Sequence, residues 1–203
     1  MVDGAVVLGS VVLFIVAAAL IDGDRTVGIE RDFFDFFNGL PGFLYPILWV
    51  PMQFGNLFAV PVAAALAAVT RRWRLAAAFL LAGVGKWVLS DVVKDAVVRH
   101  RPGKFLEATI LRGDTPALGQ AFVSGHAVIA VALATLAHPY VGTRSRVVLW
   151  AAAAIVCIGR MYTGAHLPLD VIGGAALGAA IGAALNLLFG VPVPSRGDAG
   201  PPH

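Results

Sequence analysis

The chain has 203 residues, of which 59% are hydrophobic and 13% charged, with a formal net charge of +3 and a mean hydropathy of +0.83. Soluble domains run at about 45–50% apolar and about 25% charged, so a water-soluble fold could not cover its surface from this composition. The positive balance does not point to nucleic acid either, because the basic residues fall in short loops between apolar runs, where membrane topology accounts for them. The bilayer is the expected partner. The length fits one domain, residues 1–190, and the single Cys157 excludes an intrachain disulfide.

A spanning helix needs about 20 mostly apolar residues. In chain order the runs 4–21, 45–69, 74–93, 122–138, 145–163 and 167–189 meet that need, which predicts an all-α integral membrane protein with six transmembrane helices. Ahead of the first run stand Met1, Val2 and Asp3, with no positive residue among them. That run therefore reads as a retained span and not a signal peptide, although Ala17-Ala18-Ala19 imitates a cleavage site. Residues 29–40 interleave Phe33, Phe34, Phe36 and Phe37 with acids and predict an amphipathic helix at the membrane interface. Residues 191–203, rich in Pro and Gly, read as a disordered tail.

With six spans, Arg71, Arg72, Arg74, Arg144, Arg146 and Arg196 share one side, which the positive-inside rule makes cytoplasmic. The opposite side carries a second basic set, Lys94, Arg99, Arg101, Lys104, Arg112 and Arg160, which breaks that rule. Anion binding is a reason for cations to gather there.

Three segments on that side hold the polar groups able to do chemistry: KDAVVRHRP at 94–102, SGH at 124–126 and GRMYTGAHLPLD at 159–170. Lysine and arginine from the first, with Arg160, suit a phosphate dianion, which arginine binds in bidentate fashion. Ser124 and Gly125 precede an apolar run and so predict a helix cap whose free N–H groups form an anion site. His126 and His166 stand beside it, one imidazole able to attack phosphorus and the other to protonate the departing oxygen. Pro168 fits the first turn of the last helix. Asp170 in that turn is expected to hydrogen-bond one nitrogen of His166, leaving the other free as a nucleophile. Taken singly, each segment has an ordinary structural reading; their joint spacing does not.

That spacing resembles the type 2 phosphatidic acid phosphatase superfamily, the lipid phosphate phosphatases, which share a site with vanadium haloperoxidases. The family pattern is K-x6-R-P, then P-S-G-H, then S-R-x5-H-x3-D. Lys94, Arg101 and Pro102 match the first part. Ser124, Gly125 and His126 match the second with Val123 in place of its proline. Arg160, His166 and Asp170 match the third with Gly159 in place of its serine. The resemblance covers residues 86–190 and implies an acid phosphatase/vanadium haloperoxidase-like helical core. It implies His166 as nucleophile, Asp170 as its orienting partner and His126 as general acid, with Lys94, Arg101, Ser124, Gly125 and Arg160 as the phosphate cradle. It further implies a metal-independent reaction without cofactor, through a phosphohistidine, at the outer face of the cytoplasmic membrane. The Val123 and Gly159 departures are expected to loosen a turn and to remove a minor hydrogen bond.

The substrate class this implies is a lipid phosphomonoester or diphosphate: phosphatidic acid, phosphatidylglycerol phosphate or a polyprenyl phosphate. A lipid phosphotransferase, or a non-catalytic lipid-binding or transport module, would use the same residues. Lys86 lies deeper in its helix and reads first as a structural lysine paired with a group such as Asp91, second as a phosphate ligand. His100 reads as a solvated loop residue and His138 as a helix-end residue. Gly174, Gly178 and Gly182 form a small-residue stripe for packing within the chain, with a homodimer face as the lesser alternative. The loop 103–120 is expected to cover the pocket.

Overall fold

In a computed structural model, the structure describes residues 2–26 and 28–191; the expected disordered tail therefore lies, apart from Val191, outside the described residues. The fold is helical: α1 (Val2–Ala19), α2 (Gly28–Asn38), α3 (Tyr45–Met52), α4 (Ala59–Val69), α5 (Trp73–Ala96), α6 (Pro102–Phe105), α7 (Gly125–Ala137), α8 (Thr143–Tyr162) and α9 (Pro168–Phe189). Among the described residues the only β-type pairings are two isolated bridges, Asp22 with Arg25 and His100 with Gln120.

α5, α8 and α9 are each long and apolar enough to cross a bilayer. The expected span 45–69 is instead a bent pair, Gly42–Gly55 (which contains α3) and α4, turning by 64° across residues 56–58. Pro51 inside α3 removes a helical donor, and Gln53–Gly55 tightens into a 3₁₀ turn before the chain extends at Asn56. Gly55 allows the bend to press inward, since a Cβ there would stand 2.8 Å from the His126 carbonyl oxygen and 2.6 Å from Val156. α1 is a shorter apolar helix. The expected run 122–138 is helical only from Gly125, and its 13 residues reach about 20 Å at 1.5 Å per residue. Residues 121–124 are not helical, and the Ser124 N–H bonds the Asp170 carbonyl at 3.0 Å.

α7 is the hub: all ten residues from Ala127 to Leu136 are buried. It runs alongside α9, and the glycine stripe of α9 makes that approach possible. A Cβ on Gly174, Gly178 or Gly182 would lie 2.6 Å from Ser124 O, 2.4 Å from Val128 O or 2.7 Å from Thr135 Cβ. The stripe is thus taken up inside the chain and is not a face for a second copy. The outward sides of the helices carry exposed Leu66, Leu80, Val84, Trp87, Val148 and Leu188, an apolar surface suited to lipid.

Elements run between two ends. At one end Arg72 donates to Tyr140 O and Arg74 to Phe189 O, with Asp3 at the start of α1 beside Asn186 near the end of α9. At the other end lie the C-termini of α5 and α8 and the N-termini of α7 and α9. α2 lies there too. It is amphipathic as expected, with Phe33 and Phe36 exposed, but its inner face docks on the bundle through buried Glu30, Phe34 and Asn38.

Candidate active site

A cavity of about 560 Å³ opens at that second end. Lys94 reaches it from α5, Arg101 from the segment after α5, Gly125 and His126 from the start of α7, Arg160 from the last turn of α8, and His166 from the loop before α9. The structure thus brings six of the eight expected site residues onto one wall. The other two, Ser124 and Asp170, are fully buried behind it.

The electrostatics are lopsided. Lys86, Lys94, Arg101, Arg112 and Arg160 line the cavity against one carboxylate, Asp114. Among the described residues no ion pair engages Lys86, Lys94, Arg101 or Arg160. Among the described residues, Ser124 Oγ, Arg160 Nε and His166 Nδ1 are buried without a hydrogen-bond partner, a costly state unless a ligand completes them. Ser124 occupies the N-cap position of α7, but its side chain makes no capping bond, which differs from the cap expected. Its hydroxyl is fully buried, while Gly125 at the helix N-terminus lines the cavity, where free N–H groups suit an anion.

His166 is almost fully buried. Burial, followed by the charges of Arg160, Arg101 and Lys94, holds its imidazole well below the usual protonation range, so the ring is neutral at pH 7. Burial also pulls the Arg101 pKa down, with Asp170 opposing; a guanidinium nevertheless remains a cation. The hydrogen bond expected between Asp170 and His166 is absent: Oδ2 stands 3.8 Å from Nδ1, too far for one. Asp170 is held by others, the Leu167 N–H at 2.8 Å on Oδ2 and Arg99 Nη1 at 3.2 Å on Oδ1.

Several residues depart from their sequence-based readings. Lys86 makes no ion pair with Asp91 and lines the cavity instead, its Cε lying 2.9 Å from where a Cβ of Gly125 would be. Hence Gly125 makes room for a lysine as well as for close backbone approach. His100 is not a free loop residue: its Nδ1 lies 2.9 Å from Asp24 Oδ2, and its N–H bonds Asp24 Oδ1. His138 accepts from Trp150 Nε1 at 3.1 Å, a helix-end role as expected. Val123, in place of the family's proline, is fully buried in the main core. Gly159 lets α3 seat on α8, for a Cβ there would meet Met52 Sδ at 2.6 Å.

Arg99 and Glu30 carried no motif signal, yet they form the shortest ion pair among the described residues, 2.6 Å apart. Burial opposes the Arg99 charge, but the Glu30 hydrogen bond and Asp170 outweigh it and raise its pKa. The loop 103–120 places Arg112, Asp114, Thr115 and Pro116 over the cavity. It is pinned by Arg112, which donates to Leu40 O and Tyr162 O, and by Asn38, which bonds both N–H and C=O of Ile110. Among the described residues no three His, Cys, Asp or Glu side chains are grouped as metal ligands would be.

An undecaprenyl-diphosphatase of Sulfolobus acidocaldarius is 28% identical over 172 residues, covering 78% of each chain. Among solved structures, Aquifex aeolicus LpxE superposes with a TM-score of 0.74 at 21% identity, covering 81% of this chain and 98% of that one. A transmembrane PAP2 type phosphatidylglycerolphosphate phosphatase from Bacillus subtilis gives the same score at 20% identity, covering 90% and 94%. The sequence model of the PAP2 superfamily matches residues 71–191, from the start of α5 to the end of α9 and across all three motifs. The chain belongs to the PAP2 superfamily.

Proposed function

We propose that this membrane lipid phosphatase hydrolyses a phosphomonoester or diphosphate of a lipid through a phosphohistidine intermediate, with His166 as nucleophile. The observation that carries the reading is the cavity wall itself: two imidazoles among cations that, among the described residues, have no carboxylate partners. Lys94, Arg101, Arg160, Ser124 and the Gly125 backbone hold the phosphoryl oxygens and stabilise charge that grows there in the transition state. Nδ1 of His166 faces Asp170, so Nε2 attacks phosphorus. As the N–P bond forms, the P–O bond to the lipid breaks and His126 delivers a proton to the leaving oxygen. A phosphate dianion in the cavity favours that proton on His126 beforehand. His126 then takes a proton from water, whose oxygen attacks phosphorus and releases inorganic phosphate, regenerating neutral His166.

The fold supports six passes: α1, the α3–α4 pair, α5, α7 with its flanking segments, α8 and α9 alternate in direction between the two ends. Exposed Arg71, Arg72, Arg74 and Arg144 favour the cytoplasm for one end, which turns the cavity to the outer face of the cytoplasmic membrane. The 1–190 unit acts as a single domain in this reading. Substrates are lipids whose phosphate stands at the membrane surface, and the archaeal relative's name favours polyprenyl diphosphates first.

The test is phosphate release by purified protein in detergent from a panel of phosphatidic acid, phosphatidylglycerol phosphate and polyprenyl diphosphate, with His166→Ala alongside. Wild type should release phosphate from at least one lipid and His166→Ala from none. A quench during turnover of radiolabelled lipid should trap label on the protein that is stable to alkali and lost in acid. Equal release by both proteins overturns the assignment. Label moving to an added lipid hydroxyl instead of to water would favour the phosphotransferase.

A further inference from the structure

Arg99 sits between two carboxylates, and none of the three groups reaches solvent: the Arg99, Glu30 and Asp170 side chains are 0%, 3% and 0% exposed. Arg99 Nη2 donates to Glu30 Oε2 at 2.6 Å, and Nη1 donates to Glu30 Oε1 at 3.0 Å and to Asp170 Oδ1 at 3.2 Å. Glu30 comes from α2, outside every motif. Its Oε1 also accepts the Leu169 N–H at 3.0 Å, so one carboxylate grips the arginine and the first turn of α9 together. Asp170 commits Oδ1 to Arg99, which turns Oδ2 toward the Leu167 N–H and toward His166 Nδ1.

We infer that Arg99, locked in place by Glu30 of α2, is a positioning residue that keeps Asp170 ionised and in the rotamer that presents Oδ2 to His166. The inference rests on the reading above, in which His166 is the nucleophile. As its Nε2 bonds phosphorus, the ring gains positive charge, and an ionised Asp170 facing Nδ1–H stabilises that charge. A carboxylate buried this deeply takes up a proton unless a cation stands beside it. Arg99 is the cation hydrogen-bonded to it. The other charged or titratable groups near Asp170 are Arg101 from the same segment, which acts through space, His166 from its own loop and Glu30 from α2. α7 contributes only the Ser124 N–H, to the Asp170 carbonyl. α2, the helix with the most charged sequence in the fold, is thereby part of the catalytic scaffold.

A bridge that merely stapled α2 to α9 would affect folding and leave the pH profile alone. The positioning role predicts shifts of opposite sign in two variants. Removing the cation in Arg99→Met raises the proton affinity of Asp170, so the acid limb of kcat moves to higher pH by about one unit or more, and kcat at neutral pH falls roughly 10²-fold with little change in KM. Removing the competing anion in Glu30→Gln lowers that affinity, so the limb moves to lower pH while kcat drops less. Arg99→Lys keeps the charge and should return the limb close to wild type.

The experiment is the kcat and KM profile from pH 5 to 9 for purified wild type, these three variants and His166→Ala in detergent, with thermal melts on the same samples. An acid limb that stays put in the variants, or a kcat loss that tracks only the folded fraction, overturns the inference. If Arg99→Met does not fold, the downward shift in Glu30→Gln and the retained limb in Arg99→Lys decide it by the same rule. Wild type active, His166→Ala inactive and an unmoved limb would sink this inference alone. Wild type inactive, or His166→Ala active, would sink the functional reading and this inference with it.

Discussion

Both ends of the bundle are rich in arginine, and the two sets are used in opposite ways. At one end Arg72 donates to Tyr140 O at 3.1 Å and lies over its ring, Arg74 reaches Phe189 O and Arg146 donates to His138 O. These side chains are exposed or half-buried and meet carbonyls at helix ends, where cations are favoured by the helix dipole. Water and the backbone satisfy them, so they carry topology and little else. At the other end Arg101 and Arg160 have no acidic partner among the described residues and face a cavity that two parallel helices, α7 and α9, approach by their positive N-terminal ends. Charge kept unpaired at that cost marks a place prepared for an anion. Arg99, at the same end but paired twice, shows that an unpaired arginine here is not the default.

The contrast is broken most directly by swapping the outcome of single substitutions. Arg160→Ala should lower kcat/KM for lipid phosphate by roughly 10²–10³-fold, measured as phosphate release. If Arg72→Ala did the same, the division between the ends would collapse. Gly178→Val tests the seam that joins the ends. Its side chain would drive into Val128 O, so a loss of more than about 3 kcal/mol, beyond common overpacking costs, is expected in detergent unfolding. Full stability would show that α7 and α9 part easily.

Lys86→Met should raise KM about tenfold with a smaller change in kcat, as for a cation that contacts substrate phosphate through a charge-assisted bond; unchanged KM would return Lys86 to a structural role. The pH profile sharpens the comparison further. Since burial and Arg160, Arg101 and Lys94 keep His166 neutral, lowering the pH through about 6.5, the ordinary imidazole value, should not protonate it. The His166 ring, followed directly by imidazole NMR, should therefore show no titration step near that value, and a step centred there would mean that the ring is not so enclosed. Smallest of all, Arg72→Ala should leave kcat/KM within about twofold, as expected where an exposed polar contact contributes about 0–1 kcal/mol.

The motif residues were legible because their chemistry depends on short spacings: His126 follows Gly125, and Asp170 falls one turn after His166. The apolar runs for α5, α8 and α9 were legible for a similar reason, since hydropathy integrates over a window. The break between α3 and α4 was hidden by that same averaging. Its signals, Pro51, Gly55 and Asn56, stand inside a run that stays apolar overall. Glu30 and Arg99 are 69 residues apart in sequence, and nothing local in IERDFF or VVRHRP announces that they meet. Asp170 was read as a direct hydrogen-bond partner because the spacing allows it, whereas the arginine that claims its other oxygen comes from a different segment. Long-range polar pairing is where a single sequence is silent.

The seam between α7 and α9 has one more consequence. His126 rides one residue into α7, and His166 stands two residues ahead of α9. The gap between the two imidazoles is therefore read off a ruler whose graduations are hydrogen atoms on glycine, running from beside Ser124 down the seam. A single methyl inserted low in that contact would act as a wedge under two levers, spreading their tips where phosphorus must fit. The tolerance of the chemistry is thus written into positions that never touch a substrate.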